Sequence, residues 1–92
     1  MTSFKEKKIL ITGSAQGLGR LLAEEAAKKG AKELILLDLN SKELEEVKES
    51  LKDYACTVKA YLCDLSQRKD VYEVGNQILN ESQGIDILVL NA

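Results

Sequence analysis

Short apolar runs alternate with amphipathic helical patterns along this chain of 92 residues, and that alternation constrains its fold more than any other feature. The apolar runs lie at residues 9–11, 34–37, 57–63 and 85–90. Strands that are separated by helices run parallel, because each helix carries the chain back to the same end of the sheet. The sequence therefore predicts an α/β fold in the order βαβαβαβ, with right-handed crossovers and helices on both faces of a parallel sheet.

The apolar runs differ in their patterning. Residues 34–37 are continuously apolar, which is typical of a strand that is covered on both faces. In residues 57–63, apolar and more polar side chains alternate, so one face of this strand should be less buried, as in an outer strand. The apolar residues of that alternation are Val58, Ala60 and Leu62, and the others are Thr57, Lys59 and Tyr61.

Helix signals separate these runs. The first helix is expected from Gly17 to about Lys29, with Leu18, Leu22 and Ala26 on its inner face. Gly30 stands where a glycine commonly ends a helix. Ser41 is the expected cap of the second helix. The inner face of that helix is expected to carry Leu44, Val47 and Leu51.

The third helix should begin at a cap formed by Ser66 and end at Gly84. Its predicted inner stripe consists of Val71, Val74, Gly75, Ile78 and Leu79. We expect Gly75 to let this helix approach the sheet closely.

Composition excludes several classes of protein. Thirteen basic and fifteen acidic residues give a net charge of −2, which provides no long-range field for nucleic acid. No apolar run exceeds four residues, so a membrane span is not expected. The absence of histidine removes the commonest general base. Cys56 and Cys63 form no CxxC motif and should be buried, free thiols on opposite faces of the sheet. Together with an N-terminus that lacks an apolar signal segment, they favour a cytoplasmic location.

The last run is as apolar as an internal parallel strand, yet nothing after it in the sequence would cover its outer edge. We therefore interpret residues 1–92 as the first part of one larger domain, truncated after the fourth strand. An exposed edge of this kind favours self-association or a partly molten state.

A glycine-rich turn lies between the first strand and the first helix, in the segment Thr12-Gly13-Ser14-Ala15-Gln16-Gly17-Leu18-Gly19. Gly13 permits a tight turn, Gly17 lets a pyrophosphate approach the backbone, and Gly19 allows close packing of helix on strand. A phosphate group is favoured at such a position by the N–H groups and the dipole of the helix. The segment fails the Walker A pattern, which requires a second glycine where Leu18 stands.

Asp38 ends the second strand, nineteen residues after Gly19. A carboxylate at this position can accept hydrogen bonds from both hydroxyls of an adenosine ribose. The alternative is a carboxylate that is satisfied by neighbouring backbone N–H groups or by water. A methyltransferase-like nucleotide fold is a further alternative, although its usual glycine pattern is GxGxG rather than GxxxGxG.

The spacing Thr12-Gly13-x-x-x-Gly17-Leu18-Gly19 resembles that of the short-chain dehydrogenase/reductase family. Asp64-Leu65, after the third strand, is similar to the family's acidic motif beside the adenine ring. The segment from Asp86 to Ala92, which ends in Asn91-Ala92, resembles the family's fourth-strand motif.

The resemblance implies a Rossmann-like half domain with strand order 3-2-1-4. It also implies an NAD(P)-dependent oxidoreductase that transfers hydride between nicotinamide and a small alcohol or carbonyl substrate. Carried over by residue, it assigns the pyrophosphate turn to Gly13, Gly17 and Gly19, with contacts from Ser14 and Leu18. It places Asp38 at the adenosine ribose, Asp64 and Leu65 at the adenine, and Asn91 and Ala92 at the nicotinamide-side ribose. In the family, the Asn91 position also steadies the central sheet, so its role is alternatively structural.

Cofactor preference follows from the same comparison. Members of the family that prefer NADP usually carry a basic residue at the positions of Gln16 or Leu39. The resemblance therefore implies NAD rather than NADP, with Arg20, close to the turn, as the counterargument.

The Tyr-x-x-x-Lys pair on which the family's chemistry depends is missing. Four residues after Tyr54, Tyr61 and Tyr72 stand Val58, Leu65 and Asn76. The catalytic residues should therefore lie beyond residue 92, and this chain alone should be inactive. The alternative function is a free-standing nucleotide-binding or interaction module without redox activity.

Overall fold

Helices and strands alternate in the order that the sequence predicts. The computed structural model describes residues 4–15, 17–82 and 84–91. The strands are β1 (Lys8–Thr12), β2 (Glu33–Asp38), β3 (Thr57–Leu62) and β4 (Ile87–Val89). The helices are α1 (Gly17–Lys28), α2 (Ser41–Ser50) and α3 (Arg68–Glu81). Within the described ranges, no helix combines the length and the apolar character that a membrane crossing needs.

The four strands form one parallel sheet in the order β3-β2-β1-β4, which confirms the Rossmann-like arrangement. Leu10 of β1 lies beside Ile35 of β2, and Ile35 lies beside Lys59 of β3. At the other end of the register, Thr12 pairs with Leu37 and Asp38 pairs with Leu62. The carboxyl ends of the strands therefore meet at one edge of the sheet.

Each face of the sheet has its own core, so helices cover both faces as predicted. Helices α1 and α2 pack on one face through alanines of α1 and the Leu44, Val47 and Leu51 stripe. Helix α3 packs on the other face through Ile78 and, in part, Val74. Both cysteines are free thiols, but only Cys63 is buried as predicted, in the second core, because Cys56 packs at the margin of the first and is half-buried.

The end of α1 agrees with the sequence. Gly30 has a φ of 86°, a left-handed conformation that is favourable only for glycine. Its N–H donates to the carbonyl of Ala27 over 3.2 Å, and that of Ala31 donates to Ala26 over 3.0 Å. These two hydrogen bonds form a Schellman motif, which satisfies carbonyls that the last helical turn leaves without partners.

The two predicted serine caps are wrong. Asn40 caps α2, because its side-chain oxygen accepts the N–H of Glu43 over 3.0 Å, and Ser41 is already helical. Gln67 occupies the cap position of α3. Ser66 does not cap α3, since its hydroxyl donates to the Asp64 carboxylate over 2.6 Å, a charged acceptor that is stronger than a neutral one.

The predicted inner stripe of α3 is only partly correct. Ile78 is buried, but the side chains of Val71 and Leu79 are 40% and 67% exposed. A Cβ atom at Gly75 would meet no described heavy atom within 4 Å, so this glycine does not mediate a close approach to the sheet. The helix ends at Glu81, before Gly84, because the chain turns extended at Ser82.

Two leucines that the pattern places inside are also exposed. Leu18 in α1 is 60% exposed, because small alanines bring the other face of this helix against the sheet. In β3, Tyr61 is buried and Leu62 is 57% exposed, the reverse of the expected alternation. The Tyr61 ring packs beneath α3, where its hydroxyl bonds to Glu81.

Candidate functional site

A pocket of about 260 Å³ opens at the edge where the strands end. In an open parallel sheet, this edge is where ligands generally bind, next to the point at which the strand order reverses. Six of the residues that the sequence singles out line the pocket: Gly13, Asp38, Leu39, Asp64, Leu65 and Asn91. Cys63 and Ser66 also line it. Two further predicted residues, Gln16 and Ala92, lie outside the described residues.

The glycine turn is anchored to the end of β2. The N–H groups of Gly13 and Ser14 both donate to the carbonyl of Leu37, over 2.9 and 3.4 Å. The hydroxyl of Ser14 donates to the same carbonyl over 3.3 Å, and this side chain is fully buried. Ser14 therefore lies behind the turn, where it supports the loop and does not line the pocket.

Two glycines of the turn are required by packing. Gly13 has a φ of 63°, and a Cβ atom there would lie 2.2 Å from the carbonyl oxygen of Asn91. A Cβ atom at Gly19 would lie 2.1 Å from the carbonyl oxygen of Gly13. Real Cβ atoms do not approach backbone oxygens this closely, so the fold admits no larger residue at either position without a shift of the backbone.

Gly17 differs from these two. Its φ of 56° favours glycine, but a Cβ atom there would meet no described heavy atom within 4 Å. The absence of a side chain therefore leaves open space above the start of α1. The first N–H groups of this helix, at Gly17, Leu18 and Gly19, have no acceptor within the helix, as at every helix start. Their partial positive charge can bind an anion that the open space admits.

Asp38 contributes a half-buried carboxylate that contacts two loops. One oxygen, Oδ2, accepts the N–H of Ala15 over 2.8 Å, and the other, Oδ1, accepts the N–H of Asn40 over 3.1 Å. The local hydrogen bonds that the sequence offers as an alternative are thus present. They do not exhaust the carboxylate, which has about four lone-pair positions.

Asp64 also lines the pocket and follows β3 by two residues. Its Oδ1 accepts both the N–H and the hydroxyl of Ser66, over 3.0 and 2.6 Å. These hydrogen bonds lower the pKa of the Asp64 carboxyl, so it is ionised at neutral pH. Two carboxylates therefore face the same pocket.

Apolar surface completes the walls. Leu39 and Leu65 line the pocket and are 68% and 48% exposed, so both offer apolar surface to a ligand. Cys63 is almost fully buried, and burial, followed by the charges of Asp70 and Asp64, raises the pKa of its thiol. It therefore presents a neutral, apolar wall. Sequence reasoning missed Cys63 and Ser66, although both flank the Asp64-Leu65 motif that it identified.

Asn91 joins the end of the described chain to the turn. Its N–H donates to the Thr12 hydroxyl over 2.9 Å, and its side-chain Nδ2 donates to the Gly13 carbonyl over 3.1 Å. The structural role that the sequence offers as an alternative for Asn91 is thus present in these contacts. Its side chain nevertheless lines the pocket.

The sequence of this chain is similar to those of known proteins. Residues 7–92 match the short chain dehydrogenase family. Epidermal retinol dehydrogenase 2 of Mus musculus is 42% identical over 85 residues, which cover 91% of this chain and 27% of that protein.

Two solved structures share the fold closely. L-sorbose reductase from Gluconobacter frateurii, complexed with NADPH and L-sorbose, superposes with a TM-score of 0.89 at 33% identity, over 98% of this chain and 34% of that one. A short chain dehydrogenase/reductase from Burkholderia phymatum, in complex with NAD, superposes with a TM-score of 0.84 at 28% identity, over 96% of this chain and 31% of that one. The chain thus spans about a third of the length of these proteins or less.

Proposed function

This chain belongs to the short-chain dehydrogenase/reductase family, and from that premise we propose that it supplies the dinucleotide-binding part of an NAD-dependent oxidoreductase. The complete enzyme transfers hydride between nicotinamide and an alcohol or carbonyl substrate. The observation that carries the proposal is one pocket that gathers Gly13, Asp38, Asp64, Leu65 and Asn91. The start of α1 adjoins it, because Gly19 packs against Gly13 and Asn91.

The residues present fit a dinucleotide part by part. The exposed Leu39 and Leu65 suit the two faces of an adenine ring, and the ionised Asp64 suits its amino group. The remaining lone pairs of Asp38 suit the hydroxyls of the adenosine ribose. The open backbone at Gly17 and the N–H groups of Leu18 and Gly19 suit the pyrophosphate. Asn91 is assigned to the nicotinamide side, where the bound cofactor supplies the hydride acceptor or donor.

Ser14 receives a supporting role in this proposal. Its hydroxyl and N–H are both directed at the carbonyl of Leu37, and its side chain is fully buried. We therefore assign the phosphate contacts to the first N–H groups of α1 and not to Ser14.

The contacts of the described residues favour NAD over NADP. The carboxylate of Asp38 would repel a phosphate on the 2′ position of the ribose. Leu39, the next residue, offers that phosphate no positive charge. The guanidinium of Arg20, the nearest described basic group in α1, pairs with Glu24 one helical turn further along the helix, over 3.3 Å. Both NAD and NADPH occur in related structures, so the preference rests on these residues.

The catalytic Tyr-x-x-x-Lys pair is assigned to sequence outside this chain. The 92 residues are then expected to bind cofactor without turnover. A cytoplasmic location stays a prediction from the sequence, with which the two free thiols agree.

The test is a calorimetric titration of the chain with NAD and with NADP. We expect saturable binding of NAD, weaker binding of NADP, and a smaller difference between the two in Asp38→Ala. Asp53→Ala is the matched control, because Asp53 is an exposed aspartate in the turn after α2 and does not line the pocket. A chain that is folded by circular dichroism but binds neither nucleotide would contradict the proposal.

A further inference from the structure

One carboxylate joins three segments around the pocket. Oδ2 of Asp38 accepts the N–H of Ala15, a residue that precedes it by 23 positions, over 2.8 Å. Oδ1 accepts the N–H of Asn40 over 3.1 Å, and the side chain of Asn40 in turn caps α2. Asp38 therefore connects the glycine turn, the end of β2 and the start of α2.

The hydrogen bond to Ala15 is the strongest of those that hold the turn to β2. Three donors from Gly13 and Ser14 converge on the single carbonyl of Leu37, and two of these contacts are as long as 3.3 and 3.4 Å. The Ala15 N–H instead has a charged acceptor at 2.8 Å, and such bonds are roughly twice as strong as neutral ones. Ala15 is also the last described residue before Gly17, where the open helix start begins.

We propose that Asp38 is a positioning residue for the phosphate-binding turn, in addition to being a ligand of the ribose. By holding the N–H of Ala15, it fixes the turn that leads into the first N–H groups of α1. This inference rests on the proposed function and extends it. A substitution that removes the Asp38 carboxylate in order to admit NADP would therefore also disorder the glycine turn, which binds the pyrophosphate of either cofactor.

A nucleotide without ribose hydroxyls separates the two roles. ADP and 2′,3′-dideoxy-ADP share the adenine and the diphosphate, but only ADP can donate hydroxyl hydrogen bonds to Asp38. If Asp38 acts only on the hydroxyls, its substitution leaves the affinity for the dideoxy compound unchanged or, because a negative charge is lost near the diphosphate, improved. If Asp38 positions the turn, its substitution weakens the binding of both nucleotides.

The variants are Asp38→Ala and Asp38→Asn, which lose the same charge. The asparagine keeps a side-chain oxygen that can accept the Ala15 N–H. Asp38→Asn should therefore retain part of the nucleotide affinity that Asp38→Ala loses. We expect Asp38→Ala to weaken the binding of 2′,3′-dideoxy-ADP by about 10-fold or more, the scale of one charge-assisted hydrogen bond. Asp38→Asn should weaken the binding of this nucleotide by less than about 3-fold.

Hydrogen exchange provides a readout that needs no ligand. The Ala15 amide should exchange faster in Asp38→Ala than in the wild-type chain, with Asp38→Asn in between. The Gly13 amide, which is bonded to Leu37 over 2.9 Å, is the internal control for general loosening of the sheet.

The outcomes are distinguishable. In a chain that binds ADP, unchanged or improved affinity of Asp38→Ala for 2′,3′-dideoxy-ADP would overturn the positioning role and leave the proposed function intact, and so would unchanged exchange at Ala15. A folded wild-type chain that does not bind ADP would overturn the proposed function. It would also overturn the predicted effect of Asp38→Ala on nucleotide affinity.

Discussion

The side-chain amide of Asn91 donates a hydrogen bond to the carbonyl of Gly13 over 3.1 Å, although 78 positions separate the two residues in sequence. The bond fastens the chain after β4 to the glycine turn after β1. Gly19 completes the contact, because a Cβ atom there would lie 2.1 Å from the Gly13 oxygen and 2.9 Å from Nδ2 of Asn91. The shape of the turn is therefore decided by residues from both ends of the described chain.

This packing predicts opposite effects for two glycine-to-alanine substitutions within helices. Gly19→Ala should lower the free energy of unfolding by at least about 2 kcal/mol, because its methyl group displaces the turn. Gly75→Ala should raise it by about 0.5–1 kcal/mol, because its methyl group enters open space and alanine has the higher helix propensity. Urea denaturation followed by circular dichroism measures both. A loss of stability in Gly75→Ala would show that α3 lies closer to the sheet than the structure places it.

A second prediction concerns the ion pair that holds the end of α3. The ammonium of Lys59 lies 3.3 Å from Oε1 of the buried Glu33, and it donates to the Glu81 carbonyl over 3.1 Å. The Ser82 hydroxyl donates to Oε2 of Glu33 over 2.7 Å. Lys59→Met keeps most of the apolar stem but leaves the Glu33 carboxylate without its counter-charge. We expect a loss of about 2 kcal/mol in urea denaturation, since the pair is largely shielded from water.

The matched control for that substitution is Lys69→Met. Lys69 pairs with Glu73 over 3.9 Å, and both side chains are well exposed, at 86% and 64%. Exposed pairs of this kind contribute little, so the change should stay below about 0.5 kcal/mol. Partial recovery in the double variant Glu33→Gln/Lys59→Met would identify the unpaired carboxylate as the cause. Equal losses in Lys59→Met and Lys69→Met would refute the assignment.

A third prediction concerns stability at high pH. Burial, reinforced by the hydrogen bond to Glu81 and by its charge, raises the pKa of Tyr61 from 10.0 to about 12. The folded state thus favours the protonated phenol, and its contribution is complete below pH 10 and disappears as the pH rises toward 12. After allowance for screening by solvent, a shift of this size corresponds to about 1–2 kcal/mol. The free energy of unfolding of the wild-type chain should fall over this interval by that much more than that of Tyr61→Phe.

The comparison with Tyr61→Phe isolates one phenol, because the two chains are identical at every other position. At neutral pH, Tyr61→Phe should be about 1 kcal/mol less stable, since it loses the hydrogen bond to Glu81. Tyr72→Phe should leave stability unchanged, as the Tyr72 side chain is 64% exposed. Parallel pH profiles for the wild-type chain and Tyr61→Phe would exclude the proposed contribution.

A fourth prediction is self-association of the 92-residue chain through β4. Among the described strands, β4 pairs with β1 alone, and Leu88 and Leu90 beside its open edge are 58% and 76% exposed. An apolar strand at a sheet edge is a template for pairing with a second chain. Sedimentation velocity should show an average mass that rises with concentration, and Leu88→Lys should suppress the rise. Leu62→Lys, on the opposite edge strand, is the control. A monomer at all concentrations with a sharp melting transition would be contrary to this prediction.

Local patterns in the sequence were sufficient for the order of helices and strands and for the position of the pocket. The period of the apolar residues distinguishes strands from helices, and parallel strands bring their carboxyl ends to one edge. This is why Asp38, Asp64 and Asn91, which lie at the end of a strand or just after it, could be expected at one site, and they do line one pocket. The glycine turn was recognisable because its conformation requires residues without side chains.

Local patterns misled where two candidates lay within one or two positions of each other. Asn40 and Ser41 are both good helix caps, and the hydrogen bond from the Asn40 N–H to the Asp38 carboxylate selects Asn40. Gly75 looked like a packing glycine because it lies beside Val74 and Ile78, but the tilt of a helix on a sheet is set by all of its contacts together. The burial of Tyr61 likewise depends on Glu81, twenty residues later.

The sequence by itself determined the alternation of parallel strands and helices, and the residue types that surround the pocket, because both follow from contacts between near neighbours in the chain. Only the tertiary structure decided which atoms of those residues form hydrogen bonds with one another. The carboxylate of Asp38 reaches Ala15, the amide of Asn91 reaches Gly13, and the hydroxyl of Ser14 turns away toward Leu37. Each of these bonds spans at least 23 positions, and such pairings depend on the three-dimensional approach of loops that no local pattern encodes.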